Sequence, residues 1–499
     1  MNGININYRF PYELLQFILS KSGNSLLIKG PPGGGKTTIS LQILETLQGK
    51  GNIVYLSTRV GDTSLYQQFP WLKDLEKNLK IIIASKIILE SISEVEEEEK
   101  EIVQYGKKFL QEITGEGPKN VSRVEYKKIL KDKKAPEIKR IYDNVEMNLP
   151  NKSIIVIDSI EGITSRYGIT EDVFVTMIQK DLVESVNTSV IFISEKYNVS
   201  PEDYIVDGVI YLNHEIDDGR RKRTLRINKL RGVEILQSSY AYTLKDGKFF
   251  TFYPEEYEKR EITKFEFIKN EDNISTGIED LDKILGGGLK PSSIFVLEIG
   301  KDIPLDELRL LFRPIILNTL YNNIGIFIIP VLGWSSIRLE NDLTRFINKN
   351  TFESGLRYID YNVEESNIPF VVPAGGSDKI KINQRIMKAL LDLSGISERN
   401  ILHIIGADTL EYLKGMDIST NEIFNMAHSI KSSKDIAIFT VRETQQLKNE
   451  IINISDYYFK LIEFENVPFI YGIKPKILYQ AVMVDRNKGF PNITLVPMI

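Results

Sequence analysis

The chain contains no cysteine. Disulfides, zinc thiolates, iron–sulfur clusters and a thiol nucleophile are therefore excluded. Histidine is scarce as well, and His214, His403 and His428 stand too far apart in sequence to make a metal-ligand spacing. A strong charge of either sign is also missing. A net charge of -5 spread over 499 residues gives no general attraction to nucleic acid and leaves that role to local basic patches. Long apolar runs are absent too: IIIASKIILESI and IGIFIIPVLGW are too short to cross a bilayer as a helix. The N-terminus, MNGININYRFPYELL, lacks a basic region followed by an apolar run. A soluble, cytoplasmic protein is the expectation.

What is present is enough apolar residue, 42% of the chain, to pack cores, and a length too great for one ordinary core. SLLIK (25–29), NIVYLS (52–57), SIIVID (153–158) and SVIFIS (189–194) read as buried strands, followed by VDGVIYL and TLRINKL. Helical patterns such as TTISLQILETLQ alternate with them, which predicts a mainly parallel sheet covered on both faces. A charged, helical insertion is expected at about 70–149, containing SEVEEEEKEIVQYGKKFLQEI and a following basic part. It reads as a solvated helical hairpin, with a lid or docking element as the alternative. Residues 249–272 read as a linker. After it FVLEI, IGIFIIP, NILHIIGAD and IAIFTV repeat the strand rhythm. The expected fold is thus two tandem α/β domains with mainly parallel central sheets flanked by helices, 1–248 and 273–499.

The stretch GPPGGGKTT, Gly30 to Thr38, carries the chemistry. Gly30, Pro31, Pro32, Gly33, Gly34, Gly35, Lys36 and Thr37 satisfy G-x-x-x-x-G-K-[ST] between a strand and a helix. Glycines let the backbone turn tightly and aim its N–H groups at phosphate oxygens, and the helix adds its positive N-terminal end. Lys36 is placed to reach the β- and γ-phosphates of ATP and Thr37 to ligand Mg²⁺, with Thr38 following in the same turn. Asp158, closing a hydrophobic strand, is the expected second group on the Mg²⁺ shell.

These residues resemble the RecA/KaiC class of P-loop ATPases. The loop and the SIIVIDSIEG strand match it, as does VDGVIYL followed by TLRINKLRG, with Lys229-Leu230-Arg231-Gly232 as a Lys-x-Arg-Gly pattern. STGIEDLDKILGGGLKPSS in the second half is similar to a KaiC-type domain entry. Within the class, YLSTRVGDTSLYQQFPWL, one intact loop per chain and the basic segment GRRKRTLRINKLR resemble the archaeal GvpD-type group, named for a regulator of gas-vesicle production. The resemblance implies two RecA/KaiC-like domains. In the second, FVLEIG runs into KDIPLDELRLL, so it is degenerate and lacks a phosphate loop. The resemblance also implies that Lys229 and Arg231, with Arg486 and Lys488 at the matching place of the second domain, contact a phosphate across a domain or protomer boundary. A homo-oligomer is expected where that boundary lies between protomers, and the plain reading of the pair Arg486 and Lys488 is a solvated basic turn.

The class places a water-orienting carboxylate just after the second strand, where this chain reads Ser57-Thr58-Arg59. Arg59 favours a bound phosphate but is no base. Glu161, three residues after Asp158, and Glu195, at the end of the fourth strand, are substitutes in principle, and the plain reading of each is a surface or salt-bridge residue. The expectation is an ATP-binding regulatory protein with slow or partner-dependent hydrolysis, acting on a protein or DNA partner. The alternative is a DNA-dependent ATPase of recombination or repair, resembling RadA paralogues. In it Arg220, Arg221, Lys222, Arg223 and Arg226 meet DNA phosphates, although no aromatic is interleaved among them for stacking. The plain reading of that run is a charged hairpin edge protected from aggregation.

Overall fold

A computed structural model describes residues 10–75, 79–84, 86–87, 135–253, 265–270, 272–397, 400–414, 420–485 and 490–499. The chain divides into two compact units, one within Asn5–Phe252 and one within Tyr253–Met498. The acidic and basic middle of the expected insertion, 88–134, lies outside the described residues.

The first unit is built on a nine-stranded sheet. Its strands are β1 (Ser25–Lys29), β2 (Asn52–Ser57), β3 (Leu79–Ile83), β4 (Ser153–Asp158), β5 (Ser189–Ser194), β6 (Gly208–Asp217), β7 (Arg220–Leu230), β8 (Ser239–Thr243) and β9 (Phe250–Thr251). Their order across the sheet is β3-β2-β4-β5-β1-β6-β7-β8-β9. Pairs from β3 to β6 are parallel and pairs from β6 to β9 antiparallel. The parallel strands read as continuous apolar runs because both faces are covered. Leu27, Val54, Leu56, Ile155, Ile157, Val190 and Phe192 pack one face. Helix Lys36–Thr46 buries Ile39, Leu41, Ile43 and Leu44. The chain leaves β1 toward β2 on one side, while β6 lies on the other. The mouth of β1 is therefore a topological switch point, where parallel α/β sheets open a crevice.

Two boundaries differ from the sequence reading. The stretch read as insertion contributes β3, the sheet neighbour of β2, because LKIII has the apolar content of a covered strand. The start of the expected linker belongs to the first unit. Phe249 and Phe252 are fully buried there, and Phe249 stacks between Tyr242 and Phe10 with ring centroids 4.6 and 6.1 Å away.

The second unit repeats the plan. Its strands are β10 (Ile294–Ile299), β11 (Ile326–Ile329), β12 (Leu356–Asp360), β13 (Val371–Pro373), β14 (Leu402–Gly406), β15 (Ile436–Arg442), β16 (Tyr457–Phe464), β17 (Val467–Lys474), β18 (Gln480–Asp485) and β19 (Asn492–Pro497). Their order is β13-β12-β11-β14-β15-β10-β16-β17-β18-β19. From β12 onward this is the permutation of the first sheet, with β10 in the place of β1 and β14 in the place of β4. The connection after β10, Gly300 to Pro304, is not a glycine cradle. It buries Ile303 in the apolar core, leaves Lys301 and Asp302 exposed, and leads into helix Leu305–Tyr321. Among the described residues no helix is long and apolar enough to cross a membrane.

Candidate functional site

The loop from Gly30 to Gly35 joins the mouth of β1 to helix Lys36–Thr46. Its glycines are required by shape. Gly30 (φ 154°) passes so close to β6 that a Cβ would lie 2.3 Å from the Leu212 carbonyl oxygen. Gly35 (φ 88°) is left-handed at the helix entrance, where a Cβ would meet Leu244 at 2.8 Å. Gly33 is also left-handed, at φ 75°, but faces open space. Pro32 and Gly33 are exposed, Thr37 is half-buried, and Gly34, Lys36 and Thr38 are buried.

Lys36 is folded back over this loop. Its Nζ donates to the carbonyls of Gly30 (2.7 Å) and Pro31 (3.0 Å). Burial lowers its pKa, while Glu195, Asp158 and Glu161, in that order, pull it back up. The cation is therefore held by two loop carbonyls, with the carboxylates of Glu195, Asp158 and Glu161 acting on it electrostatically.

Beside it, β4 ends on Asp158, whose Oδ2 accepts from Thr37 Oγ1 at 2.7 Å and from Tyr55 Oη at 2.6 Å. Burial raises the Asp158 pKa, and the bonds from Tyr55 and Thr37 and the charge of Lys36 oppose it. Burial, then the same carboxylate, holds the Tyr55 phenol well above its ordinary value, so Tyr55 is a neutral donor. Thr37 and Asp158 form an oxygen pair of the kind a hard divalent cation takes together with water ligands. Among the described residues no group of three or more His, Asp or Glu is set to hold a metal by itself.

The tip of β2 is tied to the tip of β4. Thr58 N and Oγ1 donate to Asp158 O at 2.7 and 3.0 Å, and Ser159 N donates to Thr58 Oγ1 at 2.9 Å. Arg59 extends from there to an ion pair with Glu195, 2.5 Å between Nη1 and Oε1. Glu161 is occupied as an acceptor: its Oε1 takes bonds from Ser194 Oγ (2.6 Å) and Glu195 N (2.9 Å), which fixes the tip of β5.

The late hairpin separates the basic residues that the sequence had grouped. β6 and β7 are joined by Asp218-Gly219, both at positive φ, which suits a tight two-residue turn. Arg220 is buried and paired with Asp218, and Lys222 pairs with Asp217 at 2.6 Å. Arg223 is buried against the phosphate loop. Its Nη1 donates to Gly33 O at 2.9 Å, and its guanidinium lies 5.8 Å from the Tyr242 ring centre. Arg221 and Arg226 are exposed. Lys229 and Arg231 lie toward the other end of β7. Lys229 faces Val209 near the start of β6 and donates to the carbonyls of Val206 (2.6 Å) and Asp203 (3.1 Å). Arg231 pairs with Asp207 at 2.6 Å. The structure does not bring these two to their own chain's loop. Arg486 and Lys488 lie outside the described residues.

Three residues at the site escape sequence reasoning, Tyr55, Tyr242 and Lys29, while Arg223, read from sequence as a DNA-phosphate contact, is instead bonded to the loop. Tyr242 Oη donates to Gly34 O at 2.5 Å from β8. Lys29, fully buried at the end of β1, binds Asp203 (2.7 Å), Ser200 Oγ (2.9 Å) and the Asn198 carbonyl (2.6 Å). It thus pins the connection between β5 and β6 under the loop. Only Lys29 leaves a trace in sequence, as a charge closing an apolar strand.

Residues 14–228 match the family model described as GvpD gas vesicle protein, P-loop domain. Residues 264–367 match a second model, GvpD basic region 2. The first unit thus carries the P-loop domain of the GvpD family. Two GvpD proteins of Halobacterium salinarum align along nearly all of it. GvpD2 is 24% identical over 98% of this chain and 96% of its own length. GvpD1 is 24% identical over 98% of this chain and 97% of its own length. Similarity to the circadian clock oscillator protein KaiC of Picosynechococcus is local, 32% identity over 19% of this chain and 17% of that protein. The GvpD basic region 2 falls in the second unit, away from the Gly219–Arg231 segment. Within it Arg313 makes a bidentate pair with Asp342, Arg309 pairs with Asp306, and Lys349 pairs with Glu340 at 2.9 Å. Those cations are engaged inside the unit.

Proposed function

We propose that the chain binds ATP with Mg²⁺ at the Gly30–Thr37 loop and works as a nucleotide-loaded regulator with slow or partner-dependent hydrolysis. The observation that carries this reading is the contrast within one site. Lys36, Thr37 and Asp158 converge on the mouth of β1, yet the tip of β2 next to Asp158 carries Arg59, a cation paired with Glu195, and no carboxylate of its own. Such a site supplies what binding needs and little to activate water. In this reading Thr37 and Asp158 hold the Mg²⁺, which would neutralise phosphate charge when bound.

The buried, engaged state of Arg220 and Arg223 speaks for a protein switch over a DNA-dependent ATPase, since it leaves Arg221 and Arg226 as the exposed arginines of the hairpin run. The family's description as gas vesicle protein makes gas-vesicle formation the first regulated process to test. Calorimetric titration with MgATP and a phosphate-release assay, with and without single- and double-stranded DNA over a salt series, decide the matter. The expected result is saturable binding that Lys36→Ala weakens at least about tenfold, with near-zero turnover that DNA does not raise. Strong DNA stimulation that fades with salt would replace this reading with the DNA-dependent one.

A further inference from the structure

Along the carboxyl edge of the first sheet, four strand tips follow one another: β2, β4, β5 and β1. Arg59 stands two residues past β2, Asp158 closes β4, Glu195 stands one residue past β5, and the phosphate loop leaves β1. The Arg59–Glu195 pair therefore spans the tip of the strand that carries Asp158. Both side chains are open to solvent, at 50% and 39% exposure. Of the carboxylates around Lys36, Glu195 acts on it most strongly, and Arg59 acts on it with the opposite sign. The ion pair thus borders the space that Lys36 guards.

Its energetics suit exchange. A solvent-exposed ion pair holds its partners weakly. A terminal phosphate offers a guanidinium more negative charge and a bidentate geometry. A nucleoside diphosphate has no such group at that place. Resting on the ATP-binding reading, we propose that Arg59 is the γ-phosphate sensor of this site, held ready by Glu195, and that ATP draws it from Glu195 onto the terminal phosphate. Arg59 then sets the preference for triphosphate over diphosphate from within the same chain. Glu195 opposes the transfer twice, by competing for Arg59 and by adding a negative charge next to the phosphate. Its tip position is fixed from behind by the bond from its own N–H to Glu161.

The test is the pair of dissociation constants for MgATP and MgADP in the full chain and three variants. Arg59→Ala is expected to weaken ATP about tenfold and leave ADP unchanged. Glu195→Gln is expected to tighten ATP several-fold, again without effect on ADP. In Arg59→Ala/Glu195→Gln the gain from Glu195→Gln should shrink, because there is no guanidinium left to release. Unchanged ADP binding also reports an intact fold. Equal losses of ATP and ADP in Arg59→Ala, or no loss of either, would overturn the sensor while leaving the nucleotide site standing. A wild-type chain that binds neither nucleotide overturns the nucleotide reading, and the sensor with it.

Discussion

At the scale of single residues, the loop glycines look alike in sequence and differ in what surrounds them. Gly33 needs only a left-handed backbone. An alanine there costs about 1–2 kcal/mol for the positive φ alone. Gly30 lies against the Leu212 carbonyl, 2.3 Å from where a Cβ would sit, and backbone cannot swing away as a flexible side chain does. Gly30→Ala is therefore expected to cost about 1–3 kcal/mol of overpacking beyond the Gly33→Ala loss. Denaturant unfolding of the two variants measures the difference. Equal losses would mean that β6 yields at Leu212. Tyr55 makes a related point: a phenol on an apolar strand looks like core, and its hydroxyl instead holds the carboxylate that faces Thr37.

At the scale of elements, the antiparallel strands β7 and β8 brace the phosphate loop. Arg223 from β7 and Tyr242 from β8 donate to the carbonyls of Gly33 and Gly34, and stack on each other. These bonds engage the loop through its carbonyls, while the Gly34 N–H closes the turn onto Pro31 O at 3.1 Å. Arg223→Ala and Tyr242→Phe are each expected to weaken ATP about fivefold, the worth of roughly 1 kcal/mol for one lost bond. Hydrogen exchange of the Gly33–Lys36 amides should quicken in both variants. If Arg223→Ala altered only DNA binding, with loop exchange and ATP affinity as in the wild type, the brace would be wrong.

At the scale of the whole molecule, one strand permutation occurs twice while one phosphate loop occurs once. The second unit keeps the sheet and spends the corresponding connection on packing, with Ile303 buried where the first unit has its glycines. Its counterpart of Asp158 is Asp408. That carboxylate accepts from the backbone N–H of Leu332 and Thr409 at 3.0 and 2.8 Å, a structural role at the head of a helix. Titration to saturation should give one nucleotide per chain, and Lys301→Ala should change neither stoichiometry nor affinity. Two equivalents per chain would show that the second unit binds nucleotide without a glycine cradle.

The sequence by itself determined the parts whose physics is local. A glycine-rich turn between a covered strand and a helix has few other uses, so Gly30 to Thr37 was legible, as was Asp158 at the end of SIIVID. Apolar runs at regular intervals announced two parallel α/β units, because strands covered on both faces must be apolar throughout. Tertiary structure decided what depends on pairing between distant segments. It placed β3 in the sheet, drew Phe249 and Phe252 into the first core, and sorted one run of arginines into buried braces and exposed charges. A cation's role depends on the acceptor that faces it. For Arg59 that acceptor, Glu195, lies 136 residues further along the chain, and for Arg223 it is the Gly33 carbonyl, 190 residues back. No local pattern in the sequence carries those pairings; the order of strands in the sheet does.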